Sequence, residues 1–405
     1  MSGAARLHLR RSAGLAAFPA FLASVGLHVL ARDRLWVHEW LWAVYQYHFV
    51  TVLLGPVAAG VAAWEGQRVA RADDLSAAAG ARLRAAAWAW AAVMGWVLAT
   101  YAIGLAAVIA LVRAAGTPGW PDATALSTLG PPIALLAAET STGFVVGLVV
   151  SSPLVPPLVA TAWFLLVLFL YVAGPATLVT VGGSSSLLGL APRRALQAAQ
   201  VELYLSVVAA SAAWVIARPA RPLAKAAACL VGLSLVALGV HRVSDEGPRI
   251  FQRTRVTLAC IGSEPTICVG PGYVPMAHRI RALLGPYLDE LRAAGAPVPS
   301  RFDQTALPGE AAAPLGGLVY SLLRYDDPSA APFAIIDWYL GPTCDVSRDP
   351  AATAFDGLAT WLQARVGPRS GGIPEQPVGT FPGGSLEQQR AWVRHAVRVL
   401  SACGR

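Results

Sequence analysis

The stretch Leu203-Tyr-Leu-Ser-Val-Val-Ala-Ala-Ser-Ala-Ala-Trp-Val-Ile-Ala217, the basic hinge Arg218-Pro-Ala-Arg-Pro-Leu-Ala-Lys225 and the second apolar run Ala226–Val240 decide how this chain is organised. Before Val240 the residues are mostly Ala, Leu, Val, Gly and Trp. After it come charges, prolines and four of the five cysteines. The pattern is that of a last membrane hairpin handing the chain to a water-soluble domain. Which side of the bilayer holds the hinge therefore decides where that domain lies.

Working outward, the whole chain of 405 residues is 56% hydrophobic and 13% charged, with mean hydropathy +0.54. Soluble domains carry about 25% charged residues, so the composition is that of an integral membrane protein. Lys225 is the one lysine among 31 basic residues. Residues 1–241 hold 15 basic and 8 acidic side chains, and residues 242–405 hold 16 and 15. Of the net charge of +8, +7 thus sits around the apolar runs, where it reports topology and not nucleic-acid binding.

The expected fold is an α-helical polytopic membrane bundle of about seven spans in residues 1–241, followed by a small α+β domain in residues 242–405. The spans fall at about 14–31, 41–63, 85–112, 125–150, 158–172, 201–217 and 224–240. The first follows Arg6, Arg10 and Arg11, as a signal peptide would. It ends in His28, Arg32 and Arg34 without a small-x-small cleavage site, so an uncleaved span is expected. Trp36, Trp40 and Trp42 then suggest an interfacial belt. Pro131-Pro132 interrupts span four. Residues 173–200 are amphipathic and suggest a re-entrant or interfacial helix. Spans six and seven are short for a core of about 30 Å.

With the N-terminus inside, loops 1–13, 64–84 and 218–225 hold ten Arg and Lys, and the opposite loops hold five. That bias favours a cytoplasmic N-terminus, and seven spans then leave the C-terminal domain extracytoplasmic. The cysteines bear on the same point. Cys229 lies in span seven. Cys260, Cys268, Cys344 and Cys403 all fall in the second domain, an even number. Cys260 closes one strand-like run and Cys268 lies early in the next, across a turn-forming link Ile261-Gly-Ser-Glu-Pro265. Facing hairpin positions suit a disulfide, which leaves Cys344 and Cys403 to tie down the C-terminal helix. Three connectivities are open to four cysteines, and four reduced thiols in a cytoplasmic domain is the competing reading. Helices are expected at Met276–Ala294, Ala351–Val366 and Ser385–Ala402, the last with Ser385 and Gln388 as a capping box. Residues 333–340 read equally as strand or buried helix, and 296–316 and 366–384 as loops.

The chemistry searched for is mostly absent, and the chain does not read as an enzyme. No phosphate-binding G-x-x-x-x-G-K-[ST] exists, because no such glycines precede Lys225. No H-E-x-x-H exists, the seven histidines do not cluster at ligand spacing, and His38-Glu39 reads as an interfacial pair. No metal or cofactor is therefore expected. Ser184–Ser186 lacks G-x-S-x-G. One residue stands apart: Glu139, near the middle of span four and followed by Thr140, Ser141 and Thr142. A carboxyl at that depth faces a bundle interior or a cavity and marks a functional site by default. Glu139, Thr140 and Thr142 are accordingly the candidate substrate path. The competing reading is a protonated acid bonded to a neighbouring hydroxyl.

The order of parts over residues 1–217 resembles the permease subunits of type-2 ATP-binding-cassette exporters. Residues 64–84 match their amphipathic cytoplasmic segment, and 173–200 their outer re-entrant element. The resemblance is architectural and rests on no sequence motif; span seven and the added Cys-containing outer domain depart from it. It implies a permease for a hydrophobic or peptide-like solute in the cell membrane, working as a homo- or heterodimer with a separate ATP-binding subunit. The alternative is a non-transporting sensor or immunity protein whose outer domain binds a ligand.

Overall fold

The computed structural model describes residues 11–31, 33–73, 79–179, 182–183, 185–218, 222–366 and 384–403. Arg6, Arg10, Arg32, Ser184, hinge residues 219–221 and most of the loop 366–384 lie outside them. The chain is mostly helical and divides into two units, residues 1–254 and 255–405.

In the first unit, α1 (Ala13–Ala31) leads to α2 (Trp40–Tyr47), α3 (Thr51–Asp73) and α4 (Ala79–Ala114). A short α5 (Ala123–Ser127) precedes α6 (Gly130–Val149), and α7 is Val155–Val172. A strand β1 (Leu190–Pro192) is followed by α8 (Arg194–Ala217), α9 (Pro222–Asp245) and β2 (Phe251–Arg253). Seven helical stretches among the described residues are long and apolar enough to cross a membrane. Pro131 and Pro132 do not kink a span. They sit in the first turn of α6, where proline's missing N–H costs nothing. Asp122 caps α5 by accepting from the Ala125 amide at 2.8 Å.

Several expectations change. The helices of spans six and seven each have 24 residues, about 36 Å at 1.5 Å per residue, so neither is short. Hydropathy hid their ends because α8 opens on Arg194 and Gln197 and α9 closes on Arg242 and Asp245. Trp36 and Trp42 are buried, and the Trp42 indole donates to the Gly183 carbonyl at 3.2 Å. They pack inside the unit and do not form a belt. Among the described residues of 173–193, one 3-10 turn at Ala176–Leu178 is the only helical element. Residues 190–192 are instead extended and pair antiparallel with 251–253. That pairing carries 242–254 with the first unit, past the boundary expected after residue 241.

The second unit is α+β. Strands β3 (Ala259–Ile261), β4 (Thr266–Val269), β5 (Arg301–Asp303) and β6 (Ala313–Pro314) form one sheet in that order. The β3–β4 pair is an antiparallel hairpin, and β4–β5 and β5–β6 are parallel. Helices α10 (Val274–Ala293), α11 (Gly316–Tyr325), α12 (Ala331–Ile336), α13 (Ala351–Val366) and α14 (Leu386–Ala402) pack on it. Of the face of α10 expected from periodicity, Ile280, Leu284, Leu288 and Leu291 are buried and Leu283 is half-buried. The ambiguous run 333–340 is helical, and two strands interrupt 296–316. Ser385 and Gln388 form the expected capping box on α14.

Candidate functional site

The site is built on α6, and its geometry follows from where small residues fall. Gly143 and Gly147 are four apart and present one face of α6 to α3, its most extensive partner. A Cβ at Gly143 would lie 2.1 Å from the Ala59 carbonyl oxygen, and one at Gly147 would lie 1.9 Å from that of Ala63. From the other side, a Cβ at Gly66 would lie 2.3 Å from the Phe144 carbonyl oxygen. The two backbones are in contact, as small-x-x-x-small spacing allows between apolar helices. Gly143-Phe-Val-Val-Gly147 is the signal in the sequence that points to this seam.

Glu139 lies one turn before Gly143 on the same face. It is 0% exposed, and neither carboxyl oxygen has a hydrogen-bond partner among the described residues. A Cβ at Gly55 would lie 1.7 Å from Glu139 Oε2, so the carboxyl fills the space that glycine leaves. Pro56 follows within α3 and has no N–H to give the Val52 carbonyl four residues back.

The other two path candidates do not join Glu139. Thr140 Oγ1 donates to the Leu136 carbonyl at 2.8 Å and approaches Met94 Sδ of α4 at 3.5 Å. Thr142 Oγ1 donates to the Ala138 carbonyl at 3.0 Å and accepts from the Trp163 indole of α7 at 2.9 Å. Ser141 Oγ donates to the Ala137 carbonyl at 2.6 Å. Each hydroxyl is spent on its own helix, and those of Thr140 and Thr142 point to different neighbours, because successive helical residues turn by about 100°. The reading of Glu139 as an acid bonded to a nearby hydroxyl is therefore not what the structure holds.

A cleft of about 430 Å³ does exist on another face of α6, between α4, α6 and α8. Leu83, Trp90, Ser141, Phe144, Val215 and Ile216 are among its lining residues, and Glu139 is not. Its lining is almost wholly apolar, and the buried Trp90 indole nitrogen has no partner among the described residues. Leu83 and Ile216 lie beside Arg82, Arg84 and Arg218, so the cleft lies toward the basic end of the bundle.

At the opposite end, Glu39 is buried and accepts hydrogen bonds from Ser186 Oγ and from the Leu187 amide, the latter at 2.9 Å. This ties residues 185–187 to the start of α2. At the basic end, Glu65 accepts from the Ala13 amide at 2.8 Å and pairs with Arg68 at 3.0 Å. It neutralises the N-terminal end of α1. No group of three or more His, Cys, Asp or Glu that could hold a metal is present among the described residues.

In the second unit, Cys260 pairs with Cys268, directly opposite it in the β3–β4 register, and Cys344 pairs with Cys403. The expected pairing and the structure agree. Cys229 is free and exposed. A cavity of about 410 Å³ lies beside the second disulfide, lined by Glu310, Trp338, Tyr339, Pro342 and Ser401 among others. The Tyr339 hydroxyl donates to the Pro297 carbonyl at 2.6 Å, and burial raises its pKa. Burial also pushes the nearby Asp337 carboxyl up to about 6.

No family model, curated protein or solved structure matches this chain.

Proposed function

We propose that the chain is the membrane permease component of an ATP-driven exporter, powered by a separate ATPase chain and moving a hydrophobic or peptide-like solute. The apolar cleft between α4, α6 and α8 carries this reading. With the N-terminus cytoplasmic, Arg82, Arg84 and Arg218 lie at the inner surface, and the cleft then lies at inner-leaflet depth. An exporter takes a membrane-soluble substrate from that leaflet. The second unit is extracytoplasmic in this arrangement. Two disulfides support an oxidising compartment for it. Among the described residues of 173–193 only the 3-10 turn at Ala176–Leu178 is helical, so that part of the architectural resemblance lends no weight. Glu139, Thr140 and Thr142 do not line the cleft.

Affinity purification of the full chain in mild detergent tests the proposal. An ATP-hydrolysing subunit is expected to copurify, and Ala212→Trp, which fills the cleft, is expected to abolish export while the complex persists. Folded protein that never captures an ATPase would overturn the exporter reading. The second reading, a sensor or immunity protein, is favoured by the cavity beside Trp338 and Tyr339. It predicts ligand binding to the outer unit with no ATPase partner.

A further inference from the structure

We infer that Glu139 is a binding site for one exchangeable proton, and that holding this proton is linked to closure of the α3–α6 seam. The inference does not depend on the exporter reading. It rests on a fully buried carboxyl whose two oxygens have no partner among the described residues. That carboxyl sits in a seam where backbones touch at Gly143 and Ala59 and at Gly147 and Ala63. A carboxylate in such a place would be a buried charge without a donor or counter-ion, which is untenable in a dry apolar interior. A hard cation is the other way to neutralise it, and the ligands are missing. Such ions take about six or more oxygens, whereas here the neighbouring hydroxyls of Thr140, Ser141 and Thr142 are turned onto their own helix. The site thus takes a proton.

Among the described residues, nothing else packed on α6 supplies a charge to compensate. Helix α3 has no ionisable side chain between His48 and Glu65, and Glu65 is committed to Ala13 and Arg68. Within α4 there is none between Arg84 and Tyr101, and within α7 none before Tyr171. On α8, Glu202 is exposed and paired with Arg242, and Tyr204 donates to the Leu178 carbonyl at 2.9 Å. His48 is fully buried. Its Nε2 lies 3.4 Å from Thr128 Oγ1, and its Nδ1 has no partner among the described residues.

Loss of the proton therefore requires water to reach Glu139, and water enters only if α3 and α6 part. By linkage, the closed seam binds a proton that the opened one releases, so rising pH weakens closure. The test uses the full chain in detergent, labelled with ¹³C-glutamate for infrared spectroscopy. In mildly alkaline buffer, where exposed carboxyls are ionised, the wild type is expected to keep a protonated carboxyl band that Glu139→Gln lacks. A spectrum with carboxylate bands only would overturn the proposal, and this measurement needs no variant to fold. The second measurement is Tm against pH. The wild type is expected to lose Tm on the alkaline side, and Glu139→Gln, neutral and isosteric, to lose less. Equal slopes in the two proteins would overturn the linkage to closure.

Discussion

The two units differ in how many large apolar side chains they leave exposed. The second unit buries large ones: Ile267, Phe302, Leu284, Trp361 and Leu400 form its core. The first unit buries some large ones too, Leu54 and Leu136 among them, but along α3 and α6 it also buries small and polar ones, including Ala59, Ala63, Glu139 and Thr140. It turns Leu158, Val172, Leu223, Leu230 and Leu233 outward, each more than half exposed. Burying large apolar groups is what water drives. Exposing them while packing glycine against carbonyl is what a hydrocarbon solvent permits, since there helices gain from close contact and not from hiding leucine. The contrast is the physical ground for reading one unit as membrane-embedded and the other as water-soluble.

The sharpest way to break that contrast is to add volume where the first unit has none. Gly147→Leu is expected to abolish monodisperse folded protein, because its Cβ alone would overlap the Ala63 carbonyl. Overpacking costs of 1–3 kcal/mol assume neighbours that can move aside, and backbone cannot. A normal gel-filtration profile for Gly147→Leu would refute the seam. Next come the disulfides, both of which lie in the second unit. By loop-closure entropy, removing Cys344–Cys403, 59 residues apart, costs about 4 kcal/mol, and removing Cys260–Cys268, 8 apart, about 2.5 kcal/mol. Denaturant unfolding of Cys403→Ser and Cys268→Ser should keep that order.

Leu230→Arg probes the outward face of α9, where Leu230 is 66% exposed. If that face meets lipid, insertion of α9 loses about 3 kcal/mol; if it meets water, the change is close to neutral. Membrane-integrated yield decides, and an unaffected yield would break the comparison. The smallest effect belongs to Asp337. Its folded pKa of about 6, against 3.8 as a free side chain, means the fold holds a proton that the unfolded chain has released in that window. Stability therefore falls as pH rises from about 4 to 6 and is level above. Asp337→Asn should remove the fall and add about 1–2 kcal/mol at neutral pH, after allowance for partial exposure. Titrating Tm of both proteins over that range checks the sign.

Much of this was legible in the sequence, and the exceptions have physical causes. Apolar runs located all seven candidate spans because a helix of about 20 apolar residues is hard to mistake. Their ends moved where polar residues such as Arg194 and Asp245 extend a helix past its apolar stretch. The capping box at Ser385 was readable because it is local. Strands β5 and β6 were not, since two or three residues carry no periodicity. Glu139 announced itself by depth, but its companion Gly55 lies far away in sequence, and only packing brings the two together. Thr140 and Thr142 looked like allies of Glu139 by adjacency, and helical rotation separates them.

The β1–β2 pairing also bears on mechanics. Three register pairs bind residues 251–253 to 190–192, the Thr254 amide donates to the Gly189 carbonyl at 2.8 Å, and Arg193 pairs with Glu246 at 2.8 Å. A tug on the chain at residue 254 therefore loads these bonds before any of it reaches α9. The strain is delivered to the entrance of α8 before it reaches α9, so a pull at residue 254 grips the first unit at two points of its own chain.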